Sequence, residues 1–495
     1  MAAKKPTQSE IDGVQYRRAK MWQSILVACN AFVGMSVYSL IGYASYSASV
    51  GYGISTAIVG VILMGTRILD AVTDPLLAVV YDKVNTRFGK LRILLISGFL
   101  IEAVALLLMY DVLSSKGLGI PVFALLYCVY IIGYTITNMT AQTFGAIMTN
   151  DPKQRPVIGV WNTAFNYIVP ITLSIVLAYV FLPMAGGTYN QIFLSSACRF
   201  CLLLGAVGIV LVCIGISAYD KPEYLNGVSK KQEPLKVRDM VSLLKDNRPL
   251  QCYIASAASD KLAQQVASQS VITTLLFGVI IGNVQLSTIL SAVAMFPSII
   301  FAIIGARYAG KHGSRKGILV WTRASLIVAL ATVIFFIIID PTQIAAMGGI
   351  TVIYVLLNFA LNGTKMSVTT CNTSFMADVI DYELDRSGKY LPALVTGTYS
   401  LVDKIVSSVS SVIATGAIAL IGYVNTVPQP GDPSTPAVFW MTMALCFGLP
   451  VLGWICTLIA MRLCSLSKEE MVEVQKRIAD KKTAAVRQEA QENPQ

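Results

Sequence analysis

Charged side chains are scarce in this sequence, making up 13% of its 495 residues, about half the share of an average soluble domain. That shortage excludes a water-soluble globule. Histidine is all but missing: the only one is His312, in the basic turn GKHGSRKG, where it reads as a solvated turn residue. No nucleophile–base pair or metal cluster stands out, which argues against a membrane-embedded transferase or other enzyme, and no cofactor is implied. The ten cysteines make no disulfide framework, since all but Cys464 sit inside or beside apolar stretches, where a thiol behaves as a small hydrophobe. Cys198 and Cys201 form a C-x-x-C on an apolar segment without a second pair or a histidine, so neither redox nor metal chemistry follows. The start of the chain, MAAKKPTQSEIDGVQYRRAK, is polar for too long to be a secretory signal.

Hydrophobic residues supply 55% of the chain, in runs of about 20 or more, the length that crosses about 30 Å of hydrocarbon as a helix. Six runs are expected at 22–48, 54–80, 92–112, 120–147, 157–183 and 192–219. Six more follow at 250–280, 286–308, 318–339, 345–372, 392–424 and 436–463. Alternate connections carry Lys83, Arg87, Lys90 and Arg92, then Lys153 and Arg155, then Lys221 through Arg248, then Lys311, Arg315 and Lys316, then Arg386 and Lys389. The intervening connections hold only Lys116, and both tails are basic. Because cytoplasmic loops hold the excess of Lys and Arg, both ends are expected inside. The net charge of +11 is spread over these connections rather than over one folded face, which argues against nucleic acid as a partner.

The polar stretch 220–249 divides the runs into two groups of six. The expected organisation is a cytoplasmic tail (1–21), a six-helix bundle (22–219), a cytoplasmic loop (220–249), a second six-helix bundle (250–463) and a cytoplasmic tail (464–495). The fold class is thus an all-α membrane protein of twelve transmembrane helices, a duplicated bundle of the major facilitator kind with a substrate route between its halves. The C-terminal SLSKEEMVEVQKRIADKKTAAVRQEA has helical spacing and mixed charge, which fits a solvated helix.

Ionisable residues inside spans cost about 2.5–3.5 kcal/mol or more and mark functional sites by default. Asp70 and Asp74 lie one turn apart in GTRILDAVTDPLLAVVYD, so their carboxylates share a helical face and repel unless a cation lies between them. One of the two being protonated, or Arg67 pairing with Asp70, would also relieve that repulsion. Pro75 loosens the ladder beside Asp74, and Thr135 on the fourth span supplies a neutral oxygen suited to Na⁺ or Li⁺. Asp403 and Lys404 fall at membrane depth on the eleventh span, Asp260 and Lys261 on the seventh, Lys365 on the tenth and Glu102 on the third. For Glu102 and Asp260, a structural pairing between helices is the plainer reading. A buried lysine such as Lys404 or Lys365 can exchange partners with a carboxylate that a bound cation neutralises, which gives a physical route to coupling.

The stretch RILDAVTDPLLAVVYDKVNTRFGKLR, Arg67 to Arg92, and the acidic MADVIDYELDRSGK, Met376 to Lys389, resemble two long motifs of the glycoside–pentoside–hexuronide:cation symporters. The resemblance implies that Asp70 and Asp74 are cation-binding carboxylates, Thr135 a hydroxyl ligand and Lys404 the coupling lysine near them, with Na⁺, H⁺ or Li⁺ as the coupling ion. The sugar positions depart from the galactoside-carrying members. No acidic residue lies on the first span, and Asn138 and Gln142 stand where those members have an aspartate and a tryptophan. Thr163 stands in place of a fifth-span arginine. Asn138, Gln142 and Asn162 can still hydrogen-bond hydroxyls, and Lys261 and Lys365 would suit an anionic solute such as a hexuronide.

The implied function is cation-coupled import of a glycoside, pentoside or hexuronide by alternating access. The implied setting is a bacterial cytoplasmic membrane, with a monomer whose partners are the bilayer and one small solute. Asp82, Arg87, Lys90 and Arg92 on one side, with Asp378 and Asp381 on the other, would pair and part as a cytoplasmic closure. The alternative is the same cation site serving a non-sugar or amphiphilic solute. Replacing Asp74 with Asn is expected to abolish cation-dependent uptake while membrane insertion survives; full Na⁺ or H⁺ coupling in that variant rules the site out.

Overall fold

The computed structural model describes residues 7–11, 14–66, 69, 89–149, 154–221, 237–388, 392–478 and 480. An antiparallel hairpin, β1 (Thr7–Ile11) and β2 (Val14–Arg18), precedes the helices. The first group comprises α1 (Met21–Ile41), α2 (Thr56–Thr66), α3 (Lys90–Val112), α4 (Gly119–Met148), α5 (Arg155–Val176) and α6 (Gln191–Ile216). A short amphipathic helix α7 (Val237–Asp246) leads to α8 (Arg248–Ala267) and α9 (Ser270–Ile280), which meet at a 60° bend and together fill the expected seventh run. Then come α10 (Val284–His312), α11 (Ser314–Ile338), α12 (Gly349–Ser387), α13 (Pro392–Leu420), α14 (Pro436–Leu463) and α15 (residues 468–478).

Eight of the described helices are long and apolar enough to span a bilayer, and counting α8 with α9 and the two arms of α10 as single bent spans gives ten. Pro297, which can neither donate to the helical ladder nor avoid the preceding carbonyl, interrupts α10 near its 41° bend. The two remaining expected runs are also helical. One is α2, beyond which the chain largely leaves the described residues, and the other is α12, whose 39 residues are too polar to pass on apolarity. Every expected run therefore has a helix in its place, as the major facilitator fold requires.

The chain divides into two compact units. The first comprises Met1–Gln232, Gln269–Ile289 and Ser411–Pro433; the second comprises Glu233–Ser268, Leu290–Ser410 and Ser434–Gln495. In the first, α3 and α4 cross so closely that a Cβ on Gly133 would lie 2.7 Å from the Glu102 nitrogen and the Gly98 carbonyl. Small residues permit this approach, which membrane helices use because lipid provides no hydrophobic drive between them. Gln269–Ile289 and Ser411–Pro433 are tied to the N-terminal helices by uncharged bonds. The buried Tyr46 hydroxyl lies 2.8 Å from Thr274 Oγ1 and donates to the Pro428 carbonyl at 2.9 Å. Thr56 donates through its N–H to the Val424 carbonyl and through its hydroxyl to that of Thr426, and Tyr189 N–H donates to Gln429 Oε1.

The corner before α3 is built around an acid. Gly89 has φ +99°, open to glycine alone among common residues, and turns the chain so that the first N–H groups of α3 face Asp220. Asp220, 2% exposed, accepts from the N–H groups of Lys90, Leu91 and Arg92 and from Arg92 Nε at 2.9–3.2 Å. The carboxylate satisfies donors that a helix start cannot satisfy itself, and meets the positive end of its dipole. In the second unit the same corner recurs before α11 with Gly313 at φ +91°. There the polarity is reversed, and Arg315 donates to the Met461 and Arg462 carbonyls that end α14. Asp220→Ala, which strips three helix N–H groups and Arg92 of their acceptor, should cost about 3 kcal/mol. Thermal unfolding of the purified protein checks this, and an unchanged midpoint refutes the role.

Candidate functional site

Asp70, Asp74, Asp82 and Arg87 lie outside the described residues. Thr135 falls inside α4 and is 3% exposed. Asn138, one turn on, is exposed, Asn162 on α5 is half-buried, and Gln142 sits on α4 with its side chain outside the described set. Lys404 is half-buried on α13 in the second unit. Glu102 is buried against α4, where Thr137 Oγ1 donates to its Oε1 at 2.8 Å; its Oε2 has no partner among the described residues. Asp403 Oδ1 is approached by the Tyr399 hydroxyl at 3.4 Å.

The second unit brings the other intramembrane charges together. On α8, Asp260 is 8% exposed and accepts from Trp454 Nε1 of α14 at 3.1 Å and from Gln264 Nε2 at 3.0 Å. Lys365 of α12 places its ammonium 5.7 Å from the centre of the Trp454 ring, within cation–π range. One indole thus faces both charges, its N–H toward the acid and its π-cloud toward the base. Lys261 follows Asp260 on α8 and adds a further positive charge acting on it. Sequence reasoning singled out Asp260, Lys261 and Lys365, but not Trp454 or Gln264. Gln264 stands one turn after Asp260 and was the one detectable signal; Trp454 is 194 positions away.

At the foot of α12 the acidic stretch is already engaged. Buried Glu383 takes Asn247 Nδ2 at 2.8 Å and Arg386 Nε at 2.9 Å. Asp381 accepts from Gln475 Nε2 at 2.7 Å, and Asp385 pairs with Arg477 at 2.7 Å, both partners from α15. The Asp385 and Glu470 carboxylates hold the Arg477 guanidinium above its ordinary range. Asp378 is half-buried and lines a cavity of about 670 Å³ with Ser314, Arg315, Ser467 and Lys468. Arg92 is held by Asp220, and Lys90 contributes its N–H there.

The model of a family described as MFS/sugar transport protein matches residues 24–468. The chain is 23% identical over 381 residues to the putative glycoside/cation symporter YagG of Escherichia coli (strain K12), covering 75% of this chain and 76% of that protein. To the glucuronide carrier protein homolog of the same organism it is 24% identical over 421 residues, covering 83% and 86%. A crystal structure of the nucleoside transporter NupG superposes with a TM-score of 0.60 at 14% identity, covering 90% of this chain and 100% of that one.

Trp454→Phe keeps the ring beneath Lys365 but removes the N–H that Asp260 receives. A buried carboxylate losing one of two donors should cost about 1–3 kcal/mol. Thermal or denaturant unfolding measures it, and wild-type stability in the variant means the bond is idle.

Proposed function

The chain belongs to the MFS/sugar transport protein family, a family of carriers rather than enzymes, and on that premise we propose that it is a cation-coupled symporter of a glycoside, pentoside or hexuronide. The observation that carries the reading is the match, over three quarters or more of the chain, to proteins named as a glycoside/cation symporter and a glucuronide carrier homolog. Asp70, Asp74 and Thr135 are the proposed ion site: two carboxylates one turn apart need a cation, and the burial of Thr135 supports its place as a neutral ligand. Occupancy by Na⁺, Li⁺ or H⁺ cancels the repulsion and favours the conformation that accepts the solute. Lys404 is the proposed coupling residue, able to engage a carboxylate when the cation leaves.

Asn138, Gln142, Asn162, Lys261 and Lys365 are the proposed solute contacts. Asp82, Arg87, Lys90 and Arg92, with Asp378 and Asp381, are the proposed closure of an alternating-access cycle. Arg92 and Asp381 hold other partners here, Asp220 and Gln475, so closure by this route would be an exchange of bonds. The proposed setting is a bacterial cytoplasmic membrane with both ends inside, consistent with the loop charges.

Proteoliposomes given a panel of neutral glycosides and hexuronides test the function. At least one solute should accumulate only under an inward Na⁺ or H⁺ gradient and leak back when that gradient is collapsed. Uptake indifferent to both gradients, or confined to amphiphilic solutes, overturns it.

A further inference from the structure

On α12, Asn358, Asn362, Lys365, Thr369 and Asn372 follow one another at intervals of four, three, four and three residues, which sets them on one helical face. The face is polar along several turns of a helix that must cross hydrocarbon. Thr369 is exposed, and Asn358, Asn362 and Lys365 are half-buried, whereas near the start of the helix the exposed Val352 and Leu356 project from the opposite side. Polar groups at span depth face a bundle interior or a water-filled space, not lipid. The α12 stripe therefore faces the interior of the bundle, and the apolar side meets the bilayer.

Lys365 is the one charge on that stripe, and its bonding is incomplete. An ammonium carries three donors. Among the described residues the Lys365 ammonium makes no hydrogen bond and no ion pair; it has only the Trp454 ring at 5.7 Å, while the Lys365 carbonyl accepts from the Thr369 hydroxyl at 3.2 Å. Asp260 acts on it electrostatically, but the two oxygens of Asp260 are taken by the neutral donors Trp454 and Gln264. Were the pair present only to balance charge, the shortest arrangement would join ammonium to carboxylate directly. Instead the Trp454 ring faces the cation and Asp260 offsets part of its charge without bonding it, so the three donors of the ammonium have no acceptor among the described residues. Asn372, further along that face, likewise has a buried Oδ1 without a partner among the described residues.

We propose that Lys365 is the specificity-determining residue for an anionic sugar: its ammonium binds the carboxylate of a hexuronide, with Trp454 and Asp260 as the residues that position it. The inference rests on the symport reading and narrows its substrate to uronates. A neutral glycoside leaves the three donors unmet, so discrimination comes from the cost of an unpaired ammonium as much as from the bond itself.

The test is calorimetric binding to the full-length protein, with Na⁺ present, of two matched pairs: methyl glucuronide against methyl glucoside, and methyl galacturonide against methyl galactoside. Wild-type protein should prefer the uronate of at least one pair by about tenfold or more. In Lys365→Met that preference should disappear, the uronate losing affinity and the neutral sugar, which no longer meets an unpaired ammonium, gaining it. Because the single variant leaves Asp260 without its countercharge, Lys365→Met/Asp260→Asn, which is neutral at both positions, is the deciding form should the single variant not fold. A uronate preference retained in the variants overturns the role of Lys365. Binding of a neutral glycoside without any uronate preference overturns the inference and leaves symport standing. Absence of cation-stimulated binding for all four sugars counts against both.

Discussion

Hydrocarbon cannot solvate a charge or an unpaired peptide group, and nearly every feature of this protein is an answer to that constraint. Most charged residues lie in the connections and tails, where water can reach them, and the few left inside are conspicuous by their partners. Glu102 leans on a single threonine hydroxyl, and Asp260 is held by an indole and an amide. Asp220, just beyond the end of α6, takes over the open start of α3. The acid that caps α3 and the arginine that bridges to the end of α14 solve one geometric problem twice, each beside a glycine with the same positive φ. The two turns are alike in backbone and differ in the charge that fixes them.

Much of the fold was legible because hydrophobic length and loop charge are local quantities. The twelve expected runs each coincide with helix among the described residues, α12 included, although its 39 residues are less apolar than the others. What was not legible depends on partners far apart in the chain. The hairpin before α1 follows no clear strand pattern in a polar tail. Asp220 looked like the first residue of a loop, although it caps a helix that begins 130 residues earlier. The docking of α15, a solvated helix as its mixed charge suggests, runs through Gln475 and Arg477 onto Asp381 and Asp385. No periodicity encodes such pairings.

The candidate site divides along the same line. Charges at membrane depth announced themselves by rarity, so Asp260, Lys261 and Lys365 could be named before their surroundings were known. Their meaning could not, because it turns on Trp454, an apolar-looking residue in an apolar helix whose indole serves opposite charges through its edge and its face. Thr135 was picked out as an oxygen donor and is indeed buried, whereas Asn138, on the next turn, is exposed. Helix rotation, which sequence spacing leaves undetermined, separates the two.

The bonds around Tyr46 differ in kind from those at the foot of α12. Tyr46, Thr56 and Tyr189 reach Pro428, Thr426 and Gln429 through neutral groups, while Asp385 and Arg477 meet as full charges on a wet surface. Mobile ions screen exposed charges over a distance of about 8 Å at physiological strength and leave neutral buried bonds almost untouched. Salt therefore loosens one set of contacts and not the other. How readily α15 lifts from α12 is thus set partly by the medium, while the bonds around Tyr46 keep their strength whatever the ionic surroundings.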